Sequence, residues 1–221
     1  WNLGRWLFQR KGPFTSNLAE GGGFLRSDPQ LPAPDLQLHF APAFFVDHGF
    51  SKPKGNGMSL APILLQPQSR GRVGLAPNNP HQPLIDPQLF SHPADLPLLR
   101  AGFRRAQQIL EQAAFAPWRE SPFSPAEKLE TDAEIDDYIR KTVELLYHPV
   151  GTCKMGTDTE AVVDARLRVH GLAGLRIADA SIMPTIQLQR DHAARSPRDA
   201  ANTDGGAEQR VTALAHRGLR P

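Results

Sequence analysis

The stretch Asp35-Leu36-Gln37-Leu38-His39-Phe40 alternates polar and apolar residues. Successive side chains of a strand point to opposite faces, so this period predicts a half-buried β-strand. Residues 58–65 form a second, mostly apolar run and are predicted as another strand. Arg72-Val73-Gly74-Leu75 follows the turn-like Gln68-Ser69-Arg70-Gly71 and predicts a third.

Beyond these strands the period changes. Leu96, Leu99, Phe103, Ala106 and Leu110 recur at steps of three and four, the signature of one apolar helix face. Ser91 is the expected N-cap, Asp95 belongs to the first turn, and Pro117 is expected to end the helix. Arg100, Arg104 and Arg105 fall largely off the apolar face and read as solvated. Thr131-Asp132-Ala133-Glu134 has the form of a capping box and opens a second helix, with Ile135, Ile139, Val143 and Leu146 as its buried stripe. That helix is expected to deliver the chain to Tyr147-His148-Pro149. Residues 166–169 and 175–178 read as two short strands joined through His170-Gly171. Strands followed by helices, without regular alternation, predict an α+β fold with a mainly antiparallel sheet.

Composition bounds what such a fold can do. Proline is about twice as frequent as usual, 21 of 221 residues, and is concentrated between Pro29 and Pro97, where loops and short strands are expected. The single cysteine, Cys153, rules out an internal disulfide and a cysteine-rich metal site. His39 and His48 flank an apolar run but lack further assignable ligands, so no metal is expected. No apolar run approaches the roughly 20 residues of a membrane span. The net charge of +2 resides in residues 187–221, which hold six arginines against four acids. The body is therefore neutral, and nothing in its charge balance points to nucleic acid.

The chemistry concentrates in residues 145–186. Tyr147-His148-Pro149-Val150-Gly151-Thr152-Cys153-Lys154-Met155-Gly156 comes first. Val163-Asp164-Ala165-Arg166-Leu167-Arg168-Val169-His170-Gly171 follows, and the segment closes on Ala178-Asp179-Ala180-Ser181-Ile182-Met183-Pro184. A histidine at a helix end, before a proline and a glycine turn, can face a cleft and exchange a proton near neutrality. Capping or packing is the plainer reading of His148. Cys153 reads as a packing residue, and Glu20 as either a substrate-side or a solvated carboxylate.

This segment resembles the C-terminal signature of the glucose–methanol–choline (GMC) oxidoreductase family. The matching stretches are His148 through Gly156 and Ala178 through Pro184. Weaker similarity, in Ser16-Asn17-Leu18-Ala19-Glu20-Gly21-Gly22-Gly23-Phe24, residues 35–40 and Ser69-Arg70-Gly71, extends it to residues 1–186 and points to the choline dehydrogenase-like, alcohol dehydrogenase (acceptor) branch.

The resemblance implies FAD as cofactor, held by a Rossmann-like domain, with a second, antiparallel-sheet domain forming the alcohol site. It implies that His148 is the catalytic base or hydrogen-bond partner, and that Asp179 and Ala180 approach the phosphate and ribose of FAD. The implied reaction oxidises a primary alcohol or choline-like substrate to the aldehyde, with hydride transfer to flavin. A quinone or another carrier is implied as electron acceptor, and the expected location is cytoplasmic, with membrane association as the alternative. Residues 1–146 are then substrate-binding domain and residues 147–186 the signature contacting FAD and active site.

Two departures qualify that expectation. The Gly-x-Gly-x-x-Gly dinucleotide fingerprint is absent, since neither Gly55-Asn56-Gly57 nor Gly21-Gly22-Gly23 has its spacing. The FAD-binding half is thus expected outside these residues, and the stretch alone is expected to be inactive. The resemblance also stops after Thr185-Ile186. Residues 187–221 contain no aromatic residue and no lysine, are rich in arginine, and are expected to form a divergent, disordered tail. A shift of reading frame near codon 186 would produce such a tail. His192 falls near the place of the family's second catalytic residue, but its neighbours do not match. The competing class is a non-catalytic remnant or interaction module without flavin. A further alternative is peptide or membrane-surface binding by the arginine-rich tail.

Overall fold

In the computed structural model, which describes residues 2–16, 19–51 and 53–186, the alternating stretch becomes a central strand. Strand β2 (Leu36–Ala41) lies between β1 (Gly21–Leu25) and β3 (Ser59–Leu64) and is antiparallel to both. Leu36 and Leu38 are buried on one face of β2, as the period requires. β1 contains Gly21-Gly22-Gly23, where the sequence shows no strand pattern because there are no side chains to alternate. β3 includes Pro62, opposite Leu38. Proline is tolerated because β3 has a sheet neighbour on one side only among the described strands.

The described residues divide into two compact units, the first from the chain start to Leu64 plus Leu96–Glu144, the second Leu65–Asp95 plus the residues from Leu145 on.

In the first unit, helix α1 (Asn2–Gln9) precedes the sheet, and α2 (Asp95–Leu110) and α3 (Asp132–Thr142) follow it. Leu96, Leu99 and Ala106 of α2 are buried, as are Ile135 and Ile139 of α3. Gly102 brings α2 close to the sheet. A Cβ there would stand 3.0 Å from Pro62 Cβ and 3.1 Å from Leu36 Cδ2. Thr131 caps α3 in the expected capping box: its hydroxyl accepts from Glu134 N–H, and Glu134 Oε2 accepts from Thr131 N–H at 2.9 Å.

Several expectations are corrected. Arg100 and Arg104 are not a merely solvated face. Arg100 lies 2.8 Å from an Asp132 carboxylate oxygen and 3.3 Å from one of Asp136, and Arg104 lies 2.7 Å from Asp132. Helix α2 ends at Leu110, short of Pro117. Helix α3 ends at Thr142, so Val143 is its C-cap with extended ψ and Leu146 is exposed. Two β-branched residues in succession and the bias of a pre-proline residue away from αR both disfavour helix toward Pro149.

In the second unit, β4 (Arg72–Ala76) pairs with β5 (Asn79–Asp86) as an antiparallel ribbon with Val73 opposite Ile85 and Leu75 opposite Pro83. The sequence signal for β5 is hidden by Pro80 and Pro83. Val73, Leu75 and Ile85 are exposed. The expected strands at 166–169 and 175–178 shrink to isolated bridges, Val163–Val169 and Arg168–Arg176. Among the described residues the paired strands are antiparallel, the isolated bridge Met155–Val163 being parallel, and the fold is α+β.

Ser91 does not cap α2. The structural role at that end falls to Asp95, which is buried and accepts the N–H groups of Gln68 and Ser69, each at 2.8 Å. Burial pushes the Asp95 carboxyl up, but the hydrogen bonds from Gln68 and Ser69 outweigh it and hold the group below its usual value. A lowered folded value means stability that is present above the unfolded value of 3.8 and lost as pH falls through the folded one. Asp95→Ala leaves two N–H donors without their acceptor and is expected to lower unfolding free energy by about 1–3 kcal/mol near neutral pH. Urea unfolding checks this. The gap should narrow as the pH is lowered through and below the carboxylate range, whereas an equal gap throughout would show that the charge does not hold the two N–H groups.

Candidate active site

Residues 148–156 and 178–184, the two stretches singled out by sequence, are joined by main-chain hydrogen bonds. Cys153 N–H donates to Ser181 O at 3.0 Å, and Met155 N–H donates to Ile182 O at 2.8 Å. Gly151 makes the approach possible. Its φ of +87° is in the left-handed region, and a Cβ there would lie 3.3 Å from Met183 O. Side chains at 151 are therefore disfavoured on both counts.

Residues 154–170 support this junction from behind. Val162 N–H donates to Lys154 O at 2.9 Å, Gly156 N–H to Val163 O at 3.0 Å, and Val163 is fully buried. His170 closes the loop twice, with its N–H on Val162 O and its Nε2–H on Gly156 O at 3.1 Å. Asp164 accepts the N–H groups of Arg166 and Arg168 and both Nε and a terminal nitrogen of Arg168, the last at 2.7 Å. The Arg168 guanidinium, then the Arg168 N–H, hold the Asp164 carboxyl down to about 2. Sequence reading quoted Asp164 and His170 without assigning them a role. The Asp-x-x-x-Arg spacing of the turn was the available signal.

His148 does not sit at a helix end, because α3 stops at Thr142 and residues 143–146 and 148–150 have no regular structure. His148 is exposed, and the residue before it, Tyr147, has a φ of +62°. Asp179, also exposed, begins the 3-10 turn Ala180–Ile182 and accepts Ser181 N–H at 2.8 Å. Hydrogen bonds from Ser181, its hydroxyl first and then its N–H, hold the Asp179 carboxyl below the usual carboxylate value. Ala178 and Ala180 are exposed beside it. Cys153 is half-buried, and Glu20 is exposed just ahead of β1. His192 and the rest of residues 187–221 lie outside the described residues.

Glu144, four residues before His148, holds a loop of the first unit. His48 N–H donates to Glu144 Oε1 at 2.9 Å, and His48 Nδ1 lies 3.4 Å from Oε2. A concavity of about 350 Å³ opens in that loop, walled by Pro42, Ala43, Phe44, Gly49 and Gly57 among others. Neither His148 nor Asp179 lines it. Among the described residues no group of three or more His, Cys, Asp or Glu has metal-binding proximity, and no helix is long and apolar enough to cross a membrane.

A family model described as GMC oxidoreductase matches residues 67–191, more than half of the chain. The match closes within five residues of Ile186. An alcohol dehydrogenase [acceptor] of Pseudomonas putida is 43% identical over 182 residues, covering 82% of this chain and 33% of its own length. An oxygen-dependent choline dehydrogenase of Cronobacter sakazakii is 41% identical over 182 residues, with the same two coverages. The chain thus spans about a third of the length of the curated relatives it matches. Among solved structures, pyridoxine 4-oxidase from Mesorbium loti is similar with a TM-score of 0.66 and 32% identity, over 75% of this chain and 33% of that one. An FAD-dependent oxidoreductase is also among its structural neighbours.

Proposed function

This chain belongs to the GMC oxidoreductase family, and from that premise we propose that it is the alcohol-handling, C-terminal part of an FAD-dependent enzyme that oxidises a primary alcohol or choline-like substrate to the aldehyde. In this reading residues 1–146 are the substrate-binding domain and residues 147–186 meet the active site and FAD. A quinone or another carrier takes the electrons, and the enzyme is cytoplasmic or membrane-associated. The observation that supports it most is the main-chain junction between residues 148–156 and 178–184, which holds the segment of the proposed base against the segment proposed to meet the cofactor.

The residues at that junction fit such a cofactor. Ala178 and Ala180 carry one side-chain carbon each and are exposed, so a polar ligand can reach the backbone there. The ionised Asp179 carboxylate repels a phosphate but accepts a hydrogen bond from a ribose hydroxyl, so Asp179 is assigned to the ribose and the neighbouring main chain to the phosphate. FAD supplies a ring that accepts hydride from the alcohol carbon. The chain's own part is the proton: an imidazole nitrogen of His148 accepts the substrate hydroxyl proton, and alkoxide character on that oxygen makes hydride loss easier.

The test is spectroscopic. Protein carrying this chain is expected to purify with flavin absorbance that bleaches anaerobically when a primary alcohol or choline is added. Absence of flavin, with no gain of activity on adding FAD, would favour the other reading, a non-catalytic remnant or binding module.

A further inference from the structure

We propose that His170 is a positioning residue for the turn that meets the cofactor: its ring holds Gly156, and Gly156 aligns the two N–H groups that grip Ser181 and Ile182. The role rests on the cofactor reading of residues 178–182 given above. The first observation is the reach of the ring. Met155 is bridged to Val163 and Val163 to Val169, so these three residues lie side by side with Val163 in the middle. His170 follows Val169, yet its Nε2 stands 3.1 Å from the oxygen of Gly156, which follows Met155. The side chain therefore spans the middle run. A carbonyl can only accept, so the ring nitrogen donates, and it does so in the neutral Nε2–H tautomer and in the imidazolium alike. The His170 N–H, on Val162 O at 3.0 Å, fixes the residue from which the ring reaches.

The second observation is what Gly156 borders. Residues 153–156 form a strip with two edges. Cys153 N–H and Met155 N–H donate to Ser181 O at 3.0 Å and Ile182 O at 2.8 Å, while Lys154 O accepts Val162 N–H at 2.9 Å and Gly156 N–H donates to Val163 O at 3.0 Å. Gly156 ends the strip and is tightly confined: a Cβ there would stand 2.9 Å from Asp158 Oδ2 and 3.2 Å from Ala161 Cβ. Across the first edge, Ser181 N–H donates to Asp179 Oδ1 at 2.8 Å and Ile182 N–H to Asp179 O at 3.3 Å. The same two residues thus receive hydrogen bonds from the strip and give them to Asp179. A shift of the strip passes through Ser181 and Ile182 to the carboxylate assigned to the ribose, and a group that supports a binding residue from behind in this way sets its position.

One exposed hydrogen bond adds little to global stability, so the effect is read at the flavin. A Gln side chain carries an amide N–H at about the distance of Nε2 from the backbone, whereas that of Asn stops about one carbon short. In the flavin-loaded enzyme carrying this chain, His170→Asn is expected to speed FAD release, followed by flavin fluorescence on dilution, by roughly two- to tenfold, the net worth of one hydrogen bond. Amide hydrogen exchange at Cys153 and Met155 should rise with it, and Tm should stay close to wild type. His170→Gln should restore both readings. Unchanged FAD release in His170→Asn overturns the proposal, as does equal acceleration in both variants, since the donor would then be irrelevant. Should His170→Asn not fold, His170→Gln decides: release at the wild-type rate, with Cys153 and Met155 protected as in wild type, supports the hold, and faster release overturns it. Asp179→Ala separates this test from its premise: unchanged FAD release there removes the cofactor reading of the turn, whereas exchange at Cys153 and Met155 in His170→Asn reports the hold without reference to flavin.

Discussion

His148→Ala in the flavin-loaded enzyme is expected to lower kcat for alcohol oxidation by about a hundred- to ten-thousandfold, the usual contribution of a positioned general base. The reasoning starts from what the side chain can do. A hydroxyl holds its proton tightly, so hydride leaves the neighbouring carbon readily only when that proton is shared in the transition state. His148 is exposed on the irregular stretch just before the signature junction, and the proposed reaction assigns it the substrate hydroxyl proton. An alanine there removes the acceptor and touches nothing in the packed core. Fold and flavin content are therefore expected to persist, and the loss should appear in the anaerobic rate of flavin bleaching more than in KM. Flavin reduction at near wild-type speed in the variant would remove His148 from the reaction. A partial rescue of the rate by added imidazole would assign the loss to the missing acceptor itself.

Ile135→Ala is expected to lower unfolding free energy by about 2–5 kcal/mol, the range for truncating a fully buried aliphatic side chain. Ile135 is 0% exposed in α3, one helical turn from the buried Ile139. The capping box at Thr131 and Glu134 secures the start of that helix but contributes only about 1 kcal/mol, so it cannot offset a cavity in the core. Thermal or urea unfolding of variant and parent measures the difference. A loss under about 1 kcal/mol would mean that the site collapses around the smaller side chain, as well-relaxed cores do.

What could be read from sequence divides along physical lines. The strand at residues 35–40 and the capping box at Thr131 are legible because their signals lie in side chains a few residues apart, where period or local hydrogen bonding speaks directly. β5 is illegible because Pro80 and Pro83 argue against a strand, and a ribbon with one partner tolerates them. β1 is illegible because three glycines have no period. The end of α3 was placed too late because Val143 and Leu146 continue the apolar spacing after the backbone has already left the helix. Residues 166–169 and 175–178 have strand-like composition, but Gly171 and Gly174, both with positive φ, turn the chain too tightly for more than single bridges. At the candidate site, the residues of both signature stretches were legible as words. Their junction was not, since it is made by Cys153 N–H and Ser181 O, and main-chain groups are the same at every position. The Asp95 contact with Gln68 and Ser69 was hidden for a related reason, because it joins a side chain to backbone 26 and 27 residues away.

The main-chain junction has a consequence for how this region can change over generations. Hydrogen bonds between backbone groups do not depend on which side chains flank them, so point replacements at most positions of the two stretches leave the link intact; Gly151, with its positive φ, and Gly156, where a Cβ would stand 2.9 Å from Asp158 Oδ2 and 3.2 Å from Ala161 Cβ, are exceptions. Added or deleted residues act differently. A single inserted residue within 151–155 would move every later N–H out of step with its carbonyl, while the exposed turns at 157–160 and 171–174 have room to lengthen. The region is therefore permissive to spelling and strict about spacing, and length variation among descendants of this gene is expected to collect in those two turns.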